Sequence, residues 1–157
     1  MKKLFSLNKL LPIIEREKKR KKKIVFTNGC FDLLHIGHIR YLKKAKTLGD
    51  ILILGLNTDS SVQKLKGNSR PILPEKERAE ILEALEMIDY IVFFKEDTPF
   101  NLISKIKPDI LVKGADYKGK EVVGRDVVEE NGGKVVLIQF EKGKSTSQLI
   151  NKIRNIK

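Results

Sequence analysis

Five short apolar runs, separated by longer segments of helical spacing, constrain this chain more than any other feature. They are KIVFTN (23–28), DILILGLN (50–57), YIVFF (90–94), DILVKG (109–114) and KVVLIQF (134–140). Each is rich in β-branched residues and continuously apolar rather than alternating, which predicts strands buried on both faces, as in a parallel sheet. Between them, HIRYLKKAKTLG sets Ile39, Leu42, Ala45 and Leu48 on one stripe, with Gly49 in place to end the helix as its C′ glycine. PEKERAEILEALEMI continues the helical period. Thr98-Pro99 reads as an N-cap and first-turn proline opening TPFNLISKI, and Ser145 with Gln148 has capping-box spacing at the head of STSQLINKIRNI. The first 23 residues read as an added helix, with Pro12 near its start, leading through a basic run. Strand–helix alternation of this kind predicts an α/β fold, a doubly wound parallel five-stranded sheet in one Rossmann-like domain spanning 1–157.

Composition narrows the class. Hydrophobic residues make up 41% and charged residues 33% of 157, as in a soluble globular protein. No apolar run nears the ~20 residues that cross a bilayer, and the first residues lack a signal-peptide pattern. The single cysteine, Cys30, excludes an internal disulfide and a zinc–thiolate cluster, so the expected compartment is the cytoplasm. Half of the net charge of +12 sits in REKKRKKK (16–23), a run that reads first as a solvated helix end or linker. The chain has no Trp and three Tyr, so stacking platforms are scarce and nucleic acid is not the expected partner. Small anionic substrates are.

In a doubly wound sheet, ligands bind beyond the carboxyl ends of the strands. Four polar, glycine-containing loops fall there: TNGCFD, LNTDS, VKGADY and FEKGKSTS. The first leads into His35-Ile36-Gly37-His38, which holds both histidines of the chain. Metal ligation would need a third ligand such as Asp32, a Cys30–His35 nucleophile pair is conceivable, and packed structural histidines would be ordinary. A phosphate cradle uses more of the stretch. A helix beginning supplies amides (37 to 39) and a positive dipole end, Gly37 leaves room for an anion, and imidazoles donate hydrogen bonds.

The stretch TNGCFDLLHIGHIRYL closely resembles the signature of the HxGH nucleotidyltransferases, which include the cytidylyltransferases and pantetheine-phosphate adenylyltransferases. The matching residues are Asn28, Gly29, Asp32, His35, Gly37 and His38. A second signature is similar at Ser145-Thr146-Ser147, where the family's hydroxyls contact the β- and γ-phosphates. LNTDSSVQKLKGNSRPI, RAEILEALEMIDYIVFFKEDTP and PDILVKGADYKGKEVVGRDVVEENGGKVVLI resemble the adenylyltransferases that act on D-glycero-β-D-manno-heptose 1-phosphate. In many organisms that module is half of a bifunctional protein with a sugar kinase, for which 157 residues leave no room.

The resemblance implies transfer of AMP from ATP to the sugar phosphate, giving ADP-heptose and pyrophosphate for the lipopolysaccharide inner core. Mg²⁺ would be bound through the nucleotide phosphates, with no protein-only metal cage. A cytidylyltransferase for an alditol phosphate such as glycerol 3-phosphate stays open, because Ala115 and the Ser-Thr-Ser spelling depart from the heptose pattern. The resemblance assigns His35 and His38 to the α- and β-phosphates and Thr27, Asn28, Gly29 and Phe31 to the enclosing turn. Lys66 and Arg70 are candidates to close over phosphates, Lys113, Gly114, Asp116 and Tyr117 to shape the base and ribose pocket, and Asn57 and Asp59 to bind sugar hydroxyls. Asp32 could orient a histidine or a hydroxyl, or cap the helix. Related enzymes imply a homo-oligomer, a dimer or larger.

Overall fold

The computed structural model describes residues 2–115, 121–139 and 145–156. Helix α1 (Leu7–Lys19) precedes strand β1 (Ile24–Gly29), helix α2 (Ile36–Lys46) and strand β2 (Ile51–Asn57). Helices α3 (Asp59–Lys66) and α4 (Glu75–Glu83) then lead to β3 (Tyr90–Phe94), followed by α5 (Phe100–Ile106), β4 (Ile110–Gly114), α6 (Arg125–Glu130), β5 (Lys134–Ile138) and α7 (Thr146–Arg154). The strands form one parallel sheet in the order β3-β2-β1-β4-β5. The direction of winding reverses at β1, which lies between β2 and β4.

All five apolar runs are strands, and their side chains divide by parity. Val25, Leu52, Leu54 and Leu56 face α2 and α4, where they meet Leu42, Ala45, Ala79 and Leu82. Ile24, Phe26, Ile51 and Ile53 face the other side and pack with Leu10, Ile14, Leu102, Ile103 and Val128 of α1, α5 and α6. Both faces are therefore dry, which is why the runs show no polar alternation.

Four local expectations change. The helix after the histidines ends at Lys46 with Thr47 as C-cap, and Gly49 is not left-handed. A Cβ on Gly49 would lie 2.7 Å from Val25 Cγ2 and 2.8 Å from the Lys23 carbonyl, so close approach to β1 is what calls for glycine there. Pro99, not Thr98, is the N-cap of α5. Pro12 lies in the middle of α1 rather than near its start. The segment 121–133, to which the sequence reading assigned nothing, contains α6, the crossover from β4 to β5.

The extension does more than add a helix. Leu4 bridges Ile91 in parallel, the Phe5 N–H donates to the Ile91 carbonyl (2.9 Å) and the Ile91 N–H to that of Lys3 (2.8 Å), so residues 3–5 cover the open edge of β3.

Candidate active site

The carboxyl ends of β1, β2, β3 and β4 open on one cleft of about 410 Å³. Its floor comes from the turn after β1. Phe31 takes a left-handed backbone conformation (φ 45°), uncommon for a bulky residue, and lays its ring against Gly29. A Cβ on Gly29 would fall 2.8 Å from that ring. The Phe31 ring also packs against His38, at a ring-centroid distance of 5.1 Å.

The two imidazoles stack, 3.9 Å between centroids and 29° between planes. His35 is the N-cap of α2, and its Nδ1 accepts the Gly37 N–H at 3.1 Å. A neutral His35 therefore carries its proton on Nε2. His38 lines the cleft, and its Nδ1 is buried without a partner. Burial first, then the nearby His35 and Lys66, push the His38 pKa down to about 4. His38 is thus neutral at physiological pH.

One expectation fails at this turn. The Gly37 amide is held by His35 Nδ1, while the His38 and Ile39 N–H groups donate to the His35 carbonyl at 2.9 and 3.3 Å. The first-turn amides are satisfied internally, which leaves side chains to meet an anion here.

Asp32 neither orients a histidine nor caps α2. Its carboxylate, buried, accepts from Arg70 Nε (2.6 Å) and from the N–H groups of Ile72 (2.8 Å) and Leu73 (2.9 Å). Burial alone would raise its pKa, but the Leu73 and Ile72 amides and the Arg70 guanidinium outweigh burial and hold it below the usual carboxylate range. Arg70 is thus held by Asp32 and does not itself line the cleft, and its Nη2 is buried and unpartnered. Burial pushes the Cys30 thiol up, against the pull of Lys66, Arg78 and Arg70, so Cys30 is not an activated nucleophile.

Of the other expected residues, Asn28, Gly29, Asn57, Lys66, Lys113, Gly114 and Thr146 line the cleft. Lys113 donates to Asn28 Oδ1, joining the ends of β1 and β4. The structure does not place several others there. Thr27 is fully buried with its hydroxyl bonded to Tyr41 (2.8 Å) and to the Val112 carbonyl (3.1 Å), which makes it a strut inside the fold. Asp59 is paired with Arg78 Nη2 at 2.8 Å. Thr58 caps α3. Ser145 caps α7 by accepting the Gln148 N–H at 3.2 Å, and Ser147 is exposed. Asp116 and Tyr117 lie outside the described residues.

Thr146 decides the relation between the two motifs. Its Oγ1 donates to the Leu33 carbonyl at 3.4 Å, in the loop that leads to His35. The start of α7 is therefore lodged beside the loop that leads to α2, with Thr146 113 residues from Leu33 in sequence, and both helix beginnings open on the same cleft.

Two groups escaped the sequence reading. Phe94, Asp97, Thr98 and Pro99 form a wall at the end of β3, a position that the carboxyl-end rule alone would have flagged. Arg78, also missed, is almost wholly buried in α4 and bonds the carbonyls of Cys30 (2.6 Å) and Leu73 (3.0 Å) as well as Asp59. An arginine in an amphipathic helix carries no signal of such a role.

The sequence model of the cytidylyltransferase-like family matches residues 26–152, from β1 into α7. The chain belongs to that family. Among its relatives, bifunctional protein HldE of Geobacter metallireducens is 60% identical over 151 residues, 96% of this chain and 31% of that one. HldE of Campylobacter concisus is 57% identical over 155 residues, 99% of this chain and 32% of that one. The chain thus spans about a third of the length of these curated relatives. Among solved structures, a lipopolysaccharide core biosynthesis protein from Thermoplasma volcanium superposes with a TM-score of 0.62 at 31% identity, over 78% of this chain and 99% of the other. Pantoate-beta-alanine ligase from Francisella tularensis shares the fold at a TM-score of 0.64 and 16% identity, over 99% of this chain and 79% of that one. The cytidylyltransferase-like family is one of nucleotidyltransferases, and the cleft is its candidate active site in this chain.

Proposed function

We propose that the chain transfers AMP from ATP to D-glycero-β-D-manno-heptose 1-phosphate, giving ADP-heptose and pyrophosphate. The observation that carries this reading is the meeting of two helix beginnings, one with His38 and one with Thr146, on a single cleft. The identity to the HldE proteins, and the resemblance of the KGADY stretch to heptose-phosphate adenylyltransferases, support this choice of substrate.

The chemistry asks little of the protein in proton transfer. An oxygen of the sugar phosphate, anionic near neutral pH, attacks the α-phosphorus. The new P–O bond replaces the bond to the β-phosphate bridging oxygen, and pyrophosphate leaves with the electron pair. Catalysis rests on alignment and on charge stabilisation. His38, kept neutral, donates to a phosphate oxygen as negative charge grows, and His35 acts beside it through Nε2. Lys66 at the rim meets departing charge, and Thr146, at the head of α7, holds the terminal phosphates. The Lys113–Asn28 bond and Gly114 shape the nucleoside end, with Asp116 and Tyr117. Asn57, with the missed wall at Asp97 and Thr98, faces the sugar.

Among the described residues no three His, Cys, Asp or Glu gather to hold a metal ion, and Asp32 is spent on Arg70 and two amides. Mg²⁺ would be held through the nucleotide's phosphates, where it would neutralise charge.

Purified protein incubated with heptose 1-phosphate, Mg²⁺ and each nucleoside triphosphate should release pyrophosphate with ATP. Silence with ATP would reject the reading, and preference for CTP with glycerol 3-phosphate would favour the alditol-phosphate alternative that the Ser-Thr-Ser spelling leaves open.

A further inference from the structure

The basic run, which the cleft does not use, helps enclose a second concavity at the opposite end of the sheet. There, at the amino ends of β1 and β4, Lys18, Lys21, Lys22, Lys23 and Lys107 surround a cavity of about 350 Å³ with Asp109 and Asn131. Helices α1 and α5 both terminate on it.

Helix capping accounts for one of these lysines. Lys18 Nζ donates to the carbonyls of Ile106 and Lys107, at 2.8 and 2.5 Å, at the end of α5. It does not account for the other four. Two helix ends carry roughly half a negative charge each. Asp109, whose carboxylate accepts the Ile24 N–H at 2.7 Å, adds one, and Asp50, 3.7 Å from Lys22, adds another. Glu15, whose charge also reaches Lys18, offsets a further one, so about one of the ammonium charges remains uncompensated.

The backbone gives a second, independent sign. Lys21 and Lys107 both adopt left-handed conformations, φ 59° and 48°, at helix ends where glycine or asparagine is the comfortable residue. The chain thus holds a lysine at two strained positions on one cavity. Burial lowers the Lys18 ammonium's pKa, against the pull of Asp109 and Glu15 and with a smaller push from Lys107.

We infer that this cavity binds a small, multiply charged phosphate anion, a chemistry shared by free oligophosphates and anionic lipid headgroups. Among the described residues its lining contains no aromatic ring on which a base could stack, which disfavours single-stranded nucleic acid.

Calorimetric titration of the full chain with inorganic tripolyphosphate tests this, read together with the amide shifts of Lys107, Asp109 and Asn131. The expected result is a saturable site that weakens as salt rises and persists in His38→Ala, where cleft binding is impaired. In Lys21→Asn/Lys107→Asn, whose asparagines suit the left-handed backbone, affinity should fall by at least about tenfold with the fold and pyrophosphate release intact. Lys22→Gln, on the exposed rim, should lower affinity in the same direction.

Vesicles containing phosphatidylglycerol separate the two sources. Binding displaced by tripolyphosphate assigns the site to headgroups, and absence of vesicle binding assigns it to free anions. Loss of all tripolyphosphate binding in His38→Ala, unchanged binding in the double asparagine variant, or vesicle or RNA binding that tripolyphosphate does not displace would each overturn the inference. None of these outcomes bears on transfer in the cleft, so the two proposals fail separately.

Discussion

At the scale of single residues, the cleft depends on groups kept in one charge state by their surroundings. His38 stays neutral because it is buried against a second imidazole and near Lys66. His38→Ala should lower turnover by about 10²–10³-fold, as loss of one preorganised donor does, with little change in the thermal midpoint. The same residue sets a pH dependence. Its folded pKa of about 4 lies below the unfolded value, so the unfolded chain binds the extra proton between the two. Stability from this group is complete above the ordinary histidine range and declines as pH falls towards 4. Urea midpoints measured from pH 7 down to 4.5 should show that decline and lose part of it in His38→Gln. Asp32 works in the opposite sense, as an ionised carboxylate that ties residues 70–73 to the β1 turn. Asp32→Ala leaves a buried, unpaired Arg70 and should cost about 3 kcal/mol by chemical denaturation. The histidine pair was legible in the sequence because its members are three positions apart. The Asp32–Arg70 pair was not, because 38 residues separate its members and either could have served elsewhere.

At the scale of elements, legibility follows the strength of the periodic signal. The strands were readable to within a residue or two, since sequestration on both faces forces uninterrupted apolar runs. Helix α6 was not readable, since RDVVEE is one and a half turns with Val128 as its buried residue, too short to show a period. Gly49 illustrates a right residue with the wrong reason. Its place after a helix suggested a left-handed cap, but the constraint is contact with β1. Gly49→Ala should therefore destabilise by about 1–3 kcal/mol, since a backbone carbonyl and a core valine would have to move. A left-handed requirement would instead be relieved by Gly49→Asn, and equal loss in Gly49→Ala and Gly49→Asn, compared by thermal unfolding, is the expected outcome.

For the whole molecule, the amino-terminal extension is structural. Leu10 and Ile14 of α1 are almost fully buried in the same cluster as Leu102, Ile103 and Ile106 of α5, and residues 3–5 add to the edge of β3. Leu10→Ala should cost about 2–5 kcal/mol in a denaturant titration, comparable to a core position of the sheet. The basic run then lies where α1 meets α5, and its lysines are set against the chain ends of both helices.

The amino-acid order alone determined the class of fold and the nature of the chemistry. Buried strands, helix periods and a six-residue motif are local patterns, set by what neighbouring residues can hide or expose. Tertiary structure decided the rest: that Thr146 comes to rest beside the loop before His35, that Thr27 is spent inside the fold and Asp59 on Arg78, and that the end of β3 supplies a wall of the cleft. Those outcomes depend on strand order and on which polar groups find partners across long stretches of chain. Partner choice is a competition among all buried groups at once, so no single stretch of sequence encodes it.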